Sequence, residues 1–383
     1  MAATPWLLLL CLAAAAASSG VLQACAQPDN KGFISIDCGF PGTTSYVDST
    51  TELSYAPDAA FTDTGSNHNI SVEYMKPQSL LSKTYHNLRS FPDGTRNCYT
   101  LRSLVHGLKY LLRASFFYGN YDGLDRIPIF DLHIGVNFWR VVNITNMGYA
   151  LQVEALVVVP DDFVQVCLIN TGAGTPFISG LSLRPLKKTM YPQVTAAQGL
   201  VLMTRLNLGP TDDSTFVRYP DDPYDRIWTP WVNMKIWTVI STRVQSIDND
   251  VFEAPTAVMQ TAIRPRDVTK NIEFSWGPEP QPNDPSPGYI TILHFSGLQI
   301  LPINAVRQFY VNLNGELWYP SGFTPTYLYI GATYNNLPSK HNSYNISINA
   351  TGNSTLPPII NGVEIFSVIS TTNLSTYSQD DQI

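Results

Sequence analysis

The chain has 383 residues, of which 44% are hydrophobic and only 14% are charged, and its net charge is −7. This composition excludes a disordered protein, and the absence of any Lys or Arg run longer than Lys187 and Lys188 excludes a nucleic-acid-binding one. The 20 Tyr, 17 Phe, 28 Pro and 24 Gly favour strands and turns, so we expect an all-β protein long enough for two domains.

The first 26 residues have the pattern of a secretory signal peptide. Residues 6–17 are apolar and uncharged, and Ala24, Cys25 and Ala26 form the small-x-small pattern of a cleavage site. The apolar stretch is too short to cross a bilayer, which takes about 20 residues, although an uncleaved anchor is the alternative. We therefore expect the protein in the secretory pathway, and then in the extracellular space (the apoplast) or at the cell-surface membrane.

N-glycosylation sequons support that compartment. The candidate asparagines are Asn69, Asn143, Asn345, Asn349, Asn353 and Asn373.

Three cysteines remain after the signal peptide is removed. They are Cys38, Cys98 and Cys167. An oxidising compartment favours one disulfide, for which three pairings are open, and we prefer Cys38–Cys98. The alternative is three buried thiols that act as small apolar side chains.

Short stretches with a period of two, each ended by Gly, Pro or Asp, predict β-strands. The clearest examples are residues 33–38, 111–116, 129–134, 138–144, 150–159 and 163–170. Strands at intervals of 8 to 12 residues with turn signals between them are typical of a β-sandwich.

The second half of the sequence repeats the first. Residues 176–183 resemble 358–365, 107–117 resemble 288–295, and 130–135 resemble 309–315, with offsets between 179 and 182 residues. A shared offset indicates two copies of one fold. We expect a first domain over residues 31–188, a second over 189–371 and a tail over 372–383.

Two stretches are candidate binding sites. The loop 118–127 follows a predicted strand and carries Tyr118, Asn120, Tyr121 and Asp122, a combination of flat aromatic faces and polar groups. Its alternative role is to pack the loop onto the domain.

The second candidate stretch is specific to the second copy. It contains Tyr224, Arg226, Trp228 and Trp231, which suit a protein interface in a groove between the two domains. The alternative is a contact within the chain that buries the tryptophans.

Five ordered blocks resemble the malectin-like ectodomain of plant leucine-rich-repeat receptor kinases. These blocks are residues 32–39, 89–101, 117–123, 167–179 and 219–228, and the resemblance extends from about residue 31 to 370. It implies two tandem malectin-like β-sandwiches of jelly-roll type at a cell surface, with a role in sensing extracellular ligands. The sequence contains no leucine-rich repeat, kinase phosphate loop or His-Arg-Asp triplet.

The resemblance also suggests two kinds of ligand. Animal malectin binds a glucose disaccharide through aromatic and acidic residues on loops, and Tyr118 falls in the corresponding loop, so a cell-wall carbohydrate is one candidate. A secreted peptide, with or without a membrane co-receptor, is the alternative and would use the groove near Trp228.

We expect no catalytic residue, cofactor or metal. Adjacent aspartates favour solvated turns rather than the facing pair that a glycosidase needs, and the six histidines have no metal-ligand spacing. The adjacent aspartates considered are the pairs that begin at Asp161, Asp212 and Asp221.

Overall fold

A computed structural model describes residues 31–75, 82–210, 216–247, 250–280 and 287–372. The predicted signal peptide, the sequon at Asn373 and almost all of the predicted tail lie outside these residues. The regular structure of the described chain is mostly strand, as the composition predicts, with one short α-helix, α1 (Thr256–Met259), and three 3-10 helices of one turn each.

The strands of the first half are β1 (Ile34–Asp37), β2 (Tyr46–Val47), β3 (Ser54–Pro57), β4 (Ser66–Asn69), β5 (Asn87–Ser90), β6 (Arg96–Arg102), β7 (Lys109–Phe116), β8 (Ile129–Ile134), β9 (Asn137–Asn143), β10 (Leu151–Val158), β11 (Phe163–Ala173), β12 (Phe177–Ile178) and β13 (Gly180–Leu186).

The strands of the second half are β14 (Gln198–Leu208), β15 (Thr229–Trp231), β16 (Trp237–Ser241), β17 (Thr261–Pro265), β18 (Ile272–Trp276), β19 (Tyr289–Phe295), β20 (Phe309–Leu313), β21 (Glu316–Leu317), β22 (Gly331–Tyr334), β23 (Tyr344–Ala350) and β24 (Gly362–Ser370).

The two halves have the same strand order. The first contributes β1-β13-β7-β10 to a long sheet and the second contributes β14-β24-β19-β22. Each half adds a four-stranded sheet, β6-β11-β8-β9 in the first and β18-β23-β20-β21 in the second. The sequence repeats fall on β7 and β19, on β8 and β20, and on β13 and β24, so the predicted duplication is confirmed by topology.

The long sheet is continuous across the two halves. β10, at the end of the first half's part of the sheet, pairs antiparallel with β14, where the second half's part begins, with Ala155 opposite Val201 and Leu156 opposite Leu200. The halves are therefore joined by backbone pairing as well as by the connecting chain.

Each four-stranded sheet packs on the same face of the long sheet and encloses a core. In the first half, Leu112 and Ala114 of β7 meet Phe130 and Leu132 of β8. In the second half, Leu293 of β19 belongs to the corresponding core. The alternation read from the sequence places these side chains inward.

The disulfide differs from our expectation, because Cys98 pairs with Cys167 and Cys38 is a buried free thiol. Cys98 lies on β6 directly opposite Cys167 on β11, and their Cα atoms are 4.0 Å apart. Cys38 follows β1 in the other sheet of the sandwich, so the preferred pairing Cys38–Cys98 was wrong. The register between β6 and β11 determines which cysteines pair, and this register cannot be read from the sequence.

Candidate functional site

The loop 118–127 holds its most prominent aromatic residue inside the protein. Tyr118 is 0% exposed, and its ring contacts Phe177 and Tyr121 with centroids 5.9 and 5.6 Å away. Its hydroxyl donates to Asp122 at 2.5 Å. Tyr118 therefore packs the loop onto the first sandwich, and its ring has no open face on which a sugar could stack.

The other residues of this loop are used largely within it. The Asn120 amide donates to Asp125 at 2.8 Å and accepts from the Asp125 backbone at 3.0 Å, which closes a tight turn. Tyr121 is half-buried beside His68, and burial raises the pKa of its hydroxyl to about 12. Of the predicted residues in this loop, Asp122 is exposed and Tyr121 presents part of its ring.

The stretch near Trp228 is mainly an internal contact. Arg226 and Trp228 are both 0% exposed, and Asp222 accepts from the Nε of Arg226 and the Nε1 of Trp228 at 2.8 Å each. The Tyr224 hydroxyl donates to Glu253 at 2.6 Å, and Trp231 is 40% exposed beside Trp237. A partner could reach Trp231 and part of Tyr224, whereas Arg226 and Trp228 serve the fold.

Beneath this stretch, a row of buried charges crosses the long sheet on the face opposite the cores. Glu154 on β10 accepts from Arg113 on β7 and from Arg205 on β14, each at 2.7 Å. Arg205 also donates to Glu364 on β24 at 2.7 Å. The charges alternate in sign from strand to strand, and the Glu154–Arg205 pair joins the two halves.

The second half of the chain covers this row. Asp225 accepts from Arg113 and Arg184 of the first half at 2.9 Å each, and from Arg218 at 2.9 Å. The Tyr191 hydroxyl donates to Glu364 at 2.9 Å. The segment around Asp225 is thereby fixed to the sheet of the other half.

The arginines keep the buried carboxylates ionised. Burial alone would raise the pKa of Glu364, but Arg205 with His294 and Arg226 lowers it to about 2. Burial also favours a raised pKa for Asp225, but the positive charges of three neighbouring arginines have the larger effect. The pKa of Asp225 therefore lies well below its ordinary value. These groups are structural charges rather than proton-transfer groups, because both stay ionised across physiological pH.

A cleft of about 420 Å³ lies between the two sandwiches, on the face of the long sheet that carries the cores. We call it the intersandwich cleft. It is lined by residues 136–140 of the first half and, from the second half, by Val201, Met203, Glu279, Pro287 and residues 367–370.

One ion pair bridges the intersandwich cleft. The Nη2 of Arg140 lies 2.9 Å from Glu279, and the two side chains are 27% and 50% exposed. The rest of the lining mixes the half-buried Phe138 and Met203 with serine hydroxyls. A concave surface with apolar walls and a few polar groups is typical of a binding site.

A β-bulge positions the first-half wall of the cleft. Leu132 of β8 pairs with Arg140 of β9, while His133 pairs with Phe138, so Trp139 has no partner residue opposite. Trp139 turns into the first core and is 1% exposed, and its neighbours Phe138 and Arg140 line the cleft. Bulges commonly redirect side chains in this way.

Sequence reasoning missed the intersandwich cleft. It identified residues 138–144 as a strand, but nothing in a single sequence joins Phe138 and Arg140 to Met203 and Glu279. These residues meet only because β10 pairs with β14.

Most of the sequons within the described residues lie on the surface of the protein. Asn69, Asn143, Asn345 and Asn353 are exposed, and Asn349 is half-buried. Their occupancy stays a prediction.

Two absences concern the described residues alone. No group of three or more His, Cys, Asp or Glu in this part of the chain is arranged to hold a metal ion. No helix within it has the length and apolar character needed to cross a membrane.

The two-sandwich fold and the sequence define the class of protein. A family model described as the malectin-like domain matches residues 36–368, and the chain belongs to this family. It is 39% identical over 355 residues to a putative leucine-rich repeat receptor-like protein kinase of Arabidopsis thaliana, covering 92% of this chain and 39% of the relative. It is 36% identical to the probable receptor-like kinase PAM74 of Arabidopsis thaliana, covering 98% and 41%. The chain thus spans about two fifths of the length of these relatives.

Solved structures have the same fold at lower identity. The ANX1 ectodomain of Arabidopsis thaliana superposes with a TM-score of 0.69 at 18% identity, covering 91% of this chain and 99% of that one. The plant receptor-like kinase FER superposes with a TM-score of 0.69 at 17% identity, covering 88% and 96%. A further match, at TM-score 0.68 and 16% identity over 89% and 96%, is a structure of the peptide RALF23 in complex with FER and LLG2.

Proposed function

We propose that this chain is a non-enzymatic, extracellular sensing module that binds a secreted peptide, alone or together with a membrane co-receptor, in the intersandwich cleft. The observation that carries the proposal is the cleft itself, about 420 Å³ in volume and walled by both halves. The relatives are receptor-like kinases, and a protein of the same fold, FER, has been crystallised with a peptide and a second protein.

The chemistry of the cleft suits a peptide better than a sugar. Phe138 and Met203 provide apolar contact area, while Arg140 and Glu279 provide one charge of each sign. Peptides combine apolar side chains with a polar backbone and can use both kinds of wall. Sugar binding needs aromatic rings that stack on the sugar and several free polar groups around one pocket. Besides Trp139, the cleft lining contains one aromatic ring, which is partly buried.

The experiment is a capture of secreted plant peptides on immobilised, glycosylated protein comprising residues 27–383. We expect peptides that bind the wild type to be lost with Phe138→Ala and retained with Phe216→Ala, which removes a ring that is 51% exposed outside the cleft. The captured peptide is then synthesised and titrated by calorimetry. Equal capture by both variants would place the ligand elsewhere, and no captured peptide would refute the function.

Carbohydrate binding has one specific feature in its favour, which is the partly exposed Tyr121 ring beside the exposed Asp122. Titration with glucose and cell-wall oligosaccharides tests it directly, with Tyr121→Ala as the matched variant. We expect no heat from these sugars. Saturable heat that is lost in Tyr121→Ala would establish a sugar site on the first sandwich.

A further inference from the structure

We propose that the free edge of β9 takes up an extended peptide segment as an added β-strand inside the intersandwich cleft. This inference rests on the peptide-sensing function proposed above and specifies how the peptide is held. In such strand addition, backbone hydrogen bonds hold the ligand and alternate side chains enter pockets.

The edge of β9 is unpaired within the described chain. β9 is the last strand of the sheet β6-β11-β8-β9, and its one strand partner is β8. Among the described residues, no hydrogen bond joins the β9 backbone to any other segment. Half of its N–H and C=O groups therefore point away from β8 and have no backbone partner on that side among the residues that the structure describes.

The corresponding edge in the second half is blunted. There the outer strand is β21, which is two residues long, whereas β9 is seven residues long. A short strand is one of the ways in which proteins protect an edge, and proline and clustered charge are others. β9 contains no proline and one charged residue, Arg140, and it is rich in residues with high strand propensity.

Two buried donors at this edge lack acceptors. The Nε1 of Trp139 and the Nδ2 of Asn137 are both shielded from solvent without a hydrogen-bond partner, and both residues line the cleft. Trp139 is 1% exposed, so its donor is buried with the rest of the side chain. Buried donors without partners are rare in native proteins and call for an explanation. A peptide backbone, which offers a carbonyl acceptor at every residue, suits the donor of the half-buried Asn137, whereas the Trp139 donor lies in the first core.

The cleft also defines the side chains of the added strand. Phe138 and Met203 form an apolar wall, so every second residue of the peptide is expected to be apolar. Arg140 and Glu279 already neutralise each other, and the net charge of −7 disfavours an acidic ligand. The occupant is thus an extended, neutral or basic peptide segment.

The probe is a displayed library of random twelve-residue peptides, selected on secreted protein comprising residues 27–383. Enriched peptides are expected to alternate apolar and polar residues and to compete with one another. Phe138→Ala should weaken them about tenfold, and Phe216→Ala should leave affinity within about twofold. Thermal unfolding of both variants checks that each is folded.

Backbone N-methylation of an enriched peptide tests the strand geometry. A methyl group removes one N–H donor, and in an added strand alternate N–H groups face the protein. We expect methylation at every second position to cost about tenfold or more in affinity and methylation at the positions between to cost about twofold or less. A period of two in this scan is the signature of strand addition.

Each other outcome overturns the inference. If enriched peptides depend on Phe138 but tolerate N-methylation everywhere, the cleft binds peptides through side chains, and the proposed function survives without strand addition. If no enriched peptide depends on Phe138, the edge is not a receptor for peptides, and the capture experiment decides the function separately. If sedimentation shows a dimer that Phe138→Ala dissociates, a second copy of the chain is the occupant of the edge.

Discussion

Arg205, on β14 of the second half, donates to Glu154, on the neighbouring strand β10 of the first half, at 2.7 Å, and both side chains are buried. The pair lies beside the point where β10 and β14 share backbone hydrogen bonds. Because Glu154 also accepts from Arg113 and Arg205 also donates to Glu364, each charge has partners on both sides. The junction is therefore closed by charge pairing as well as by the sheet.

Replacement of Arg205 by Ala is expected to destabilise the whole protein. The substitution leaves Glu154 and Glu364 buried with fewer partners, and breaking a buried ion pair from one side costs about 3–5 kcal/mol. Urea denaturation followed by tryptophan fluorescence measures the loss. The matched control is Arg140→Ala, which removes a partly exposed pair and should cost less than about 1 kcal/mol. Equal losses in both variants would contradict a structural role for the buried row.

Stability at acid pH is expected to depend on Glu364. The folded protein holds its pKa at about 2, below the ordinary value of 4.5, so its contribution to stability is present above pH 4.5 and is lost as the pH falls towards 2. The difference corresponds to about 3 kcal/mol at 1.36 kcal/mol per pKa unit.

The variant Glu364→Gln lacks this contribution. It should be less stable than the wild type at pH 6. The difference in free energy of unfolding between the two proteins should decrease by about 3 kcal/mol towards pH 2. Urea unfolding at a series of pH values gives the two curves, with the exposed Glu279→Gln as the control. A gap that stays constant with pH would show that Glu364 titrates normally.

The disulfide assignment makes a chemical prediction. Non-reducing peptide mapping should recover Cys98 linked to Cys167, with Cys38 alkylated only after unfolding because it is buried. Cys167→Ser should lower stability by about 2–4 kcal/mol, since the bridge joins residues 69 apart in sequence. Cys38→Ser, which changes a buried free thiol, is the comparison that leaves the bridge intact. Recovery of a Cys38–Cys98 peptide would contradict the structure.

Tyr118 should behave as a core residue. Tyr118→Ala is expected to cost about 3–5 kcal/mol, as for other large buried side chains. Tyr118→Phe keeps the ring and loses the hydrogen bond to Asp122, which costs about 1 kcal/mol. Tyr121→Ala, which truncates the half-buried neighbour, should lower the free energy of unfolding by less than Tyr118→Ala does. A negligible effect of Tyr118→Ala on thermal unfolding would contradict a core role and would again make Tyr118 a candidate ligand contact.

Glycan occupancy should follow exposure. Asn69, Asn143, Asn345 and Asn353 are exposed, and we expect glycopeptide mapping of the secreted protein to find them modified. Asn349 is half-buried with its Oδ1 shielded from solvent, so its occupancy should be lower. The variant Asn345→Gln keeps the strand and removes one glycosylation site. The mass lost in this variant identifies the glycan attached to Asn345. High occupancy at Asn349 and none at Asn345 would contradict this order.

The sequence predicted the strands and their duplication because both are local or periodic features. Leu112, Ala114 and Phe116 alternate with Leu111, Arg113 and Ser115, and that alternation indicates which residues share one face of a strand. The repeat offset aligned the sequence of β7 with that of β19. In the structure these two strands occupy equivalent positions in the strand orders of the two halves.

The sequence could not predict what depends on register and on the junction. Arg113 lies on the face of β7 that would be solvent in an isolated sandwich, and it is buried because the segment around Asp225 folds onto it. Cys167 meets Cys98 through one particular pairing of β6 with β11. Tyr118 follows a strand like an exposed loop residue, yet Phe177 and Tyr121 enclose its ring. Each of these depends on residues far away in the chain.

The pairing of β10 with β14 also has a mechanical consequence. Two domains on a flexible linker can swing apart, and a ligand between them can report its presence by closing a hinge. Here a swing would break the shared sheet and expose Glu154 and Arg205, which are paired with each other across it. The shared sheet therefore resists a hinge motion between the two halves, and a peptide bound as we propose would alter the surface around the cleft rather than close it.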